Sequence, residues 1–261
     1  MKKLFLAASL VLLTAGYGFA QVEEEEELIS PTRPGVSESV GLPKKGVVQL
    51  EYGGEFDFRS PDFKNQQSGP SGVFFGVSRY LRLDVEFTTV VSNKDRIEMR
   101  QTGIGDVNLG FKAVFRDKPK ERLGVGMSYS ITLPSASEEK GLGTGRVDHN
   151  VRFILNRTYG KNDVTFNVSY LNIGRDDSER RASGAQMVLS YERELPRNFS
   201  LILETWGNSV SERQARGIYT LTALTYKINK RVRVDGGIRP GFGREAPNFN
   251  AFAGIAVGVG K

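Results

Sequence analysis

The chain has no cysteine, one histidine and one tryptophan in 261 residues. No disulfide can form, and thiol-held metals, a cysteine nucleophile and a lipid-anchoring cysteine are all excluded. One imidazole with scattered acids makes a poor ligand set, so no metal and no cofactor is expected. Long hydrophobic runs are also missing beyond residues 4–15, and mean hydropathy is −0.33, which excludes a bundle of membrane-crossing helices. Proline is sparse at ten residues and glycine abundant at thirty. A closed sheet accommodates that balance, because glycine serves tight turns and crowded interior positions and no loose edge asks for covalent reinforcement.

The first twenty residues read as a secretory leader. Lys2 and Lys3 form its positive start, Leu4 to Ala15 its apolar core, and Gly18-Phe19-Ala20 a small-residue cleavage site before Gln21. Twelve apolar residues are too few for a helix to cross a bilayer core of about 30 Å, which argues against a transmembrane anchor. Without Lys2 and Lys3 the 36 basic residues become 34 against 30 acidic ones, a net +4. So small an excess on an exported chain gives no reason to expect nucleic acid.

Residues 21–45 differ in character from the rest of the chain. Glu23 to Glu27 is an acidic run, and Pro31, Pro34 and Pro43 come with clustered charge. Such composition predicts an irregular, solvated segment in the periplasm, preceding a folded body at 46–261.

From Gly46 onward the period is two. Val48, Leu50, Tyr52, Phe56 and Phe58 share one face of the first segment, against Gln49, Glu51, Gly53, Glu55 and Asp57. The pattern returns at 81–91, 107–116, 123–133, 147–155 and 164–170. It continues less regularly at 185–191, where Val188 interrupts the polar face, and at 199–205, 218–228, 232–239 and 249–259; a strand at 72–77 completes the set. The fold class is therefore all-β, a transmembrane antiparallel up-and-down barrel of about twelve strands, with ten to fourteen compatible. A soluble eight-stranded barrel would hide its apolar face inside, but a wider lumen cannot be filled that way. Charges at strand centres belong inside too, since Arg or Lys facing lipid costs about 2–4 kcal/mol at the midplane. A two-sheet periplasmic sandwich is the competing architecture. Phe58, Tyr80, Tyr129, Tyr170, Tyr191, Tyr226 and Phe242 fall near strand ends, where interfacial aromatics sit, although tyrosine also favours strands generally.

Four stretches carry a family resemblance: Thr32 to Ser39 (TRPGVSES), Gly46 to Gly53 (GVVQLEYG), Gly103 to Lys112 (GIGDVNLGFK), and Leu133-Pro134-Ser135 followed by a glycine-bearing loop and Asp148. Together they resemble the family called putative MetA-pathway of phenol degradation, outer-membrane "transporter" barrels. The resemblance implies a barrel that passes small molecules, aromatic ones among them, and names no substrate. Thr32 stands where an Asp is expected, and Lys261 ends the chain where many barrels have an aromatic residue.

Catalytic chemistry of the kinds a barrel can carry finds little support. His149 has Val151 two residues on, where a barrel phospholipase needs serine, and it falls on the lipid-facing side. Asp148 and His149 are adjacent and so point to opposite faces. Asp176-Asp177 reads as a loop pair, and the glycine loop at 141–145 lacks the Lys-Ser/Thr of a phosphate loop. No catalytic residue is assigned and no enzyme is expected. The leading expectation is passive passage of small molecules through a lumen lined by Glu51, Glu55, Asp57, Arg82, Asp84, Glu86, Asp106, Lys112, Asp148, Arg152, Arg233 and Asp235, which would tune field and width. The alternative is a closed barrel in which these charges pair across the lumen, with a structural or adhesive role. Expected partners are outer-membrane lipid and lipopolysaccharide, the barrel-assembly machinery and periplasmic chaperones during biogenesis, and an unidentified solute.

Overall fold

A computed structural model describes residues 27–58, 64–94, 99–117, 123–143, 145–174, 181–210, 217–242 and 249–260. The leader, Glu23 to Glu26, Asp176-Asp177 and Lys261 lie outside the described residues.

Thirteen strands run β1 Val48–Phe58, β2 Asn65–Ser78, β3 Leu81–Lys94, β4 Arg100–Gly103, β5 Val107–Arg116, β6 Leu123–Leu133, β7 Asp148–Tyr159, β8 Asn162–Gly174, β9 Arg181–Glu194, β10 Phe199–Asn208, β11 Ile218–Asn229, β12 Val232–Phe242 and β13 Phe249–Val259. Every neighbouring pair is antiparallel, and β1 pairs with both β2 and β13, so the sheet closes on itself. Strands β4 and β5 both pair with β3, at successive heights, and share one place in the wall. The barrel therefore has twelve positions, as the alternation predicts. Four-residue β4 is too short to show a period of two, which is why the pattern misses it.

Burial is inverted relative to a water-soluble protein. Phe115 is 62% exposed, Phe153 57% and Leu224 51%, while Arg82, Lys112 and Ser169 are 1%, 2% and 0% exposed. The apolar residues of the alternation look outward and the polar ones inward. Each of these apolar side chains is about half exposed, so leaving it in water would be unfavourable by about 1 kcal/mol, and this surface suits a hydrocarbon surround. Short turns such as 79–80, 160–161 and 230–231 gather at one end, and longer connections at the other. No helix is present among the described residues.

One expectation is corrected. Residues 27–45 are not an irregular tail in solvent: they enter the barrel at its short-turn end, cross the lumen and return. Leu28 N donates to Lys230 O, and Lys44 N to Leu28 O, each at 3.0 Å, closing the base of this re-entrant segment. The composition that argues against independent structure suits an interior position. Its prolines have no N–H to satisfy, and the amides of Ser30, Thr32, Arg33, Val36, Ser37 and Glu38 find acceptors on wall side chains. Val188 does interrupt the inward polar face, as the alternation has it. It is 1% exposed and packs inside with Ile202, Trp206, Leu221, Ala223 and Phe252, an apolar patch against which Val36 of the segment rests.

Candidate functional site

The lumen and the segment that crosses it form the site. The rising limb runs along β1. Ser30 N donates to Gln49 Oε1 at 2.7 Å, Thr32 N to Glu51 Oε1 at 2.8 Å, and Thr32 Oγ1 to Glu51 Oε2 at 2.8 Å. Arg33 then reaches β12, where Nε and Nη2 each donate to a different oxygen of Asp235 at 3.1 Å. Its guanidinium lies over Gly53 and Gly254, register partners on β1 and β13. A Cβ at either would sit 2.2 Å from a guanidinium nitrogen, so only glycine leaves this slot open.

At the top of the loop the backbone is caught by the far wall. Val36 N and Ser37 N donate to the two carboxylate oxygens of Glu204 on β10, at 2.8 and 3.1 Å. Asn167 on β8 accepts from Glu38 N at 2.8 Å and donates to Glu38 O at 2.9 Å. Glu38 then aims its carboxylate at three cations. Arg152 Nη1 lies 3.0 Å from Oε1, and Arg82 Nη2 and Lys112 Nζ lie 3.3 and 3.6 Å from Oε2. Ser128 Oγ adds a hydrogen bond to Oε1 at 2.9 Å. On the falling limb, Lys112 holds Ser39 O at 3.0 Å, and Val40 packs with Val114 and Ile154.

Eleven of the twelve residues expected from sequence to line the lumen lie on strands, and eight of those meet the segment or a residue that anchors it, Glu55 through Arg239, which donates to Pro34 O. Glu51, Asp235, Arg82, Lys112 and Arg152 bind it directly, Arg233 pairs with Glu27 at 2.9 Å, and Asp84 holds Arg82 at 2.6 Å. Glu55 pairs with Arg239 at 3.3 Å, and Asp57 accepts from Asn250 at 2.9 Å. Glu86 is solvent-exposed within the strand β3 row, and Asp148 accepts from Gly174 N at 2.9 Å near the long-loop end. Asp106 is the exception. It lies in the 104–106 interruption between β4 and β5, where Oδ1 accepts from Ser135 N and Ala136 N at 3.0 Å. It fastens the connection at 135–136, from an interruption of the strand rather than from a strand.

Sequence reasoning misses Arg33, Glu38, Glu204 and Asn167 as functional residues. The first two stand in a segment whose composition hides its position. The small inward faces at Gly53, Gly124 and Gly126 are the available signal that something occupies the lumen. Arg239 is missed as well; its guanidinium stands 5.2 Å from the Phe252 ring centroid and 5.7 Å from that of Trp206.

The segment does not fill the lumen. Between it and β7–β10 remains a cavity of about 320 Å³, lined by Thr158, Asp163, Thr165, Ser190, Glu192 and Glu204 on the wall side and by residues 29–41 on the other. His149 is remote from this space. It faces outward and meets the Tyr129 hydroxyl through Nδ1 at 2.9 Å.

Comparison with known proteins fits this geometry. The family description "Putative MetA-pathway of phenol degradation" matches residues 32–258. The fold resembles that of an outer membrane channel from Pseudomonas putida F1, at 13% identity and a TM-score of 0.65, covering 88% of this chain and all of that one (100%). It also resembles the NanC porin, at 10% identity and a TM-score of 0.56 over 81% of this chain and 99% of that one. The KdgM porin aligns at 9% identity and 0.54, over 80% of this chain and 98% of that one. No curated protein sequence matches the chain.

Proposed function

The chain belongs to the family described as "Putative MetA-pathway of phenol degradation", and from that premise we propose that it is an outer-membrane channel for passive passage of small solutes, narrowed by its own residues 27–45. The observation that carries the reading is the polar cavity of about 320 Å³ left between that segment and β7–β10. A purely structural barrel would gain by packing the segment against the whole wall, yet a charge-lined space is left beside it. The outward apolar belt suits a bilayer, and the short-turn end, by the general habit of such barrels, faces the periplasm. The wall charges set field and width at the constriction. The closed-barrel reading has one observation in its favour, the segment crossing the lumen from β1 to β7.

Planar-bilayer recordings separate the two. The channel reading expects small discrete conductance steps from the intact barrel and steps several-fold larger after deletion of residues 27–44. Absence of current from both, with heat-modifiable folding retained, would leave the structural role.

A further inference from the structure

Glu38 occupies a place built for a carboxylate. Four donors converge on it, two at each oxygen: Ser128 Oγ and Arg152 Nη1 at Oε1, Arg82 Nη2 and Lys112 Nζ at Oε2. These donors come from four adjacent strands in one register row, with Arg82 opposite Lys112, Lys112 opposite Ser128, and Ser128 opposite Arg152. The wall alone therefore presents three cations side by side, and among the described residues Asp84 is the wall carboxylate bonded to them, at Arg82. Arg82 and Lys112 are 1% and 2% exposed, so this charge has been drawn out of water and held in place by the barrel. Three desolvated like charges in a row are unfavourable without an anion. Asp84 answers Arg82 from the wall; the further anion, Glu38, is attached to a segment joined to the wall by side-chain bonds rather than strand pairing.

We propose that the Arg82–Lys112–Ser128–Arg152 row is the binding site for the carboxylate group of a transported solute, and that Glu38 is a tethered stand-in which a solute displaces. The transport half rests on the channel reading; the binding half does not. Hydrogen bonds from Ser128, Arg152 and Arg82 to the two oxygens of Glu38, with the Lys112 ammonium 3.6 Å from one of them, match a planar carboxylate. Small monocarboxylates are the class that fits this geometry; the row lies on the β3–β7 side of the segment, apart from the cavity against β7–β10, so a solute reaches it only as Glu38 moves aside. The acid changes no bonds in the exchange: Glu38 leaves the row as the solute carboxylate arrives, and the wall keeps its charge balance throughout.

The test is chemical rescue of the full barrel in detergent. Glu38→Ala removes the carboxylate and leaves a vacancy that acetate restores nearly atom for atom. Thermal unfolding is followed through the single tryptophan, Trp206, during titration with sodium acetate, sodium propionate, sodium chloride and inorganic phosphate at constant ionic strength. The proposal expects a lowered Tm that acetate and propionate recover saturably, with half-effect in the millimolar range, while wild type does not respond. Equal recovery by chloride or phosphate, or none by carboxylate, overturns it. Glu38→Gln keeps the side-chain volume and serves if the alanine variant does not fold. In bilayers its reversal potential must shift toward anion selectivity, and acetate must reduce its chloride current. Neither effect in a conducting Glu38→Gln barrel refutes the site. A barrel that carries no current but is rescued by acetate refutes the channel reading and leaves the site standing.

Discussion

Asp235→Asn probes how firmly the segment is held. The pair it breaks is buried, with side-chain exposures of 10% for Arg33 and 6% for Asp235, and it is bidentate. Removing one partner from such a pair usually costs about 3–5 kcal/mol, because the remaining charge is left in a poor environment. Arg33 has an escape that a core residue lacks: the segment can peel away and return the guanidinium to water. The loss therefore appears as detachment of the segment while the barrel stays folded. Taking about 3 kcal/mol, the detached population rises about a hundredfold. The absence of native cysteine supplies the assay. Val40 is 3% exposed and sits on the far limb, remote from Arg33 in the segment's path, so Val40→Cys is protected until the whole segment leaves. Maleimide labelling of Cys at 40 is expected to run about a hundredfold faster with Asp235→Asn than without it, at unchanged heat-modifiable mobility. An acceleration below about threefold would refute the claim that this pair anchors the segment, and simultaneous loss of barrel mobility would refute the claim that detachment precedes unfolding.

The wall itself gives two further expectations. Leu83 is 49% exposed on the outer face; Leu83→Arg is expected to destabilise the folded barrel by about 2–4 kcal/mol in lipid, read by urea titration in vesicles, whereas the same change in detergent has a smaller effect. Asp106→Ala removes the acceptor of the Ser135 and Ala136 amides, so protease nicking within residues 134–143 is expected to accelerate while barrel mobility and conductance stay at wild-type values. Raising salt from low to molar concentration is expected to change Glu38-dependent behaviour little, since its partners are buried, and to weaken the half-exposed Lys227–Glu27 contact first.

The wall was legible in the sequence because a period of two reports the side of a sheet on which each residue falls, whatever its neighbours. Bounds at 107–116, 123–133 and 249–259 coincide with β5, β6 and β13. What periodicity cannot report is which residues stand opposite one another. Arg82, Lys112 and Arg152 each read as an inward charge, yet nothing in their spacing along the chain places them in one row. That row exists only after strand register is fixed across β3, β5, β6 and β7. The segment was illegible for a different reason. Its proline and charge content predicts no structure of its own, and its order comes from the wall, through Glu51, Asp235, Glu204, Asn167 and the cation row.

The same dependence relates the two sequence-level pictures of the lumen. One has wall charges facing water, the other has them pairing across the lumen. Direct wall pairs exist, Arg82 with Asp84 on one strand, Arg239 on β12 with Glu55 on β1, and Arg233 on β12 with Glu192 on β9 at 3.9 Å. Residues 27–45 add to them, bringing Arg33 to an acid and Glu38 to three cations. The segment thus converts an unbalanced wall into a neutralised one on the side of β3–β7 and leaves Asp163, Glu192 and Glu204 facing the cavity on the other. An occluding segment held by apolar packing would be insensitive to the charge of what enters. One held at opposite ends by an acid on the wall and by a cation row responds to ionic solutes at both, and the cation row is where an arriving carboxylate competes with Glu38 on equal chemical terms.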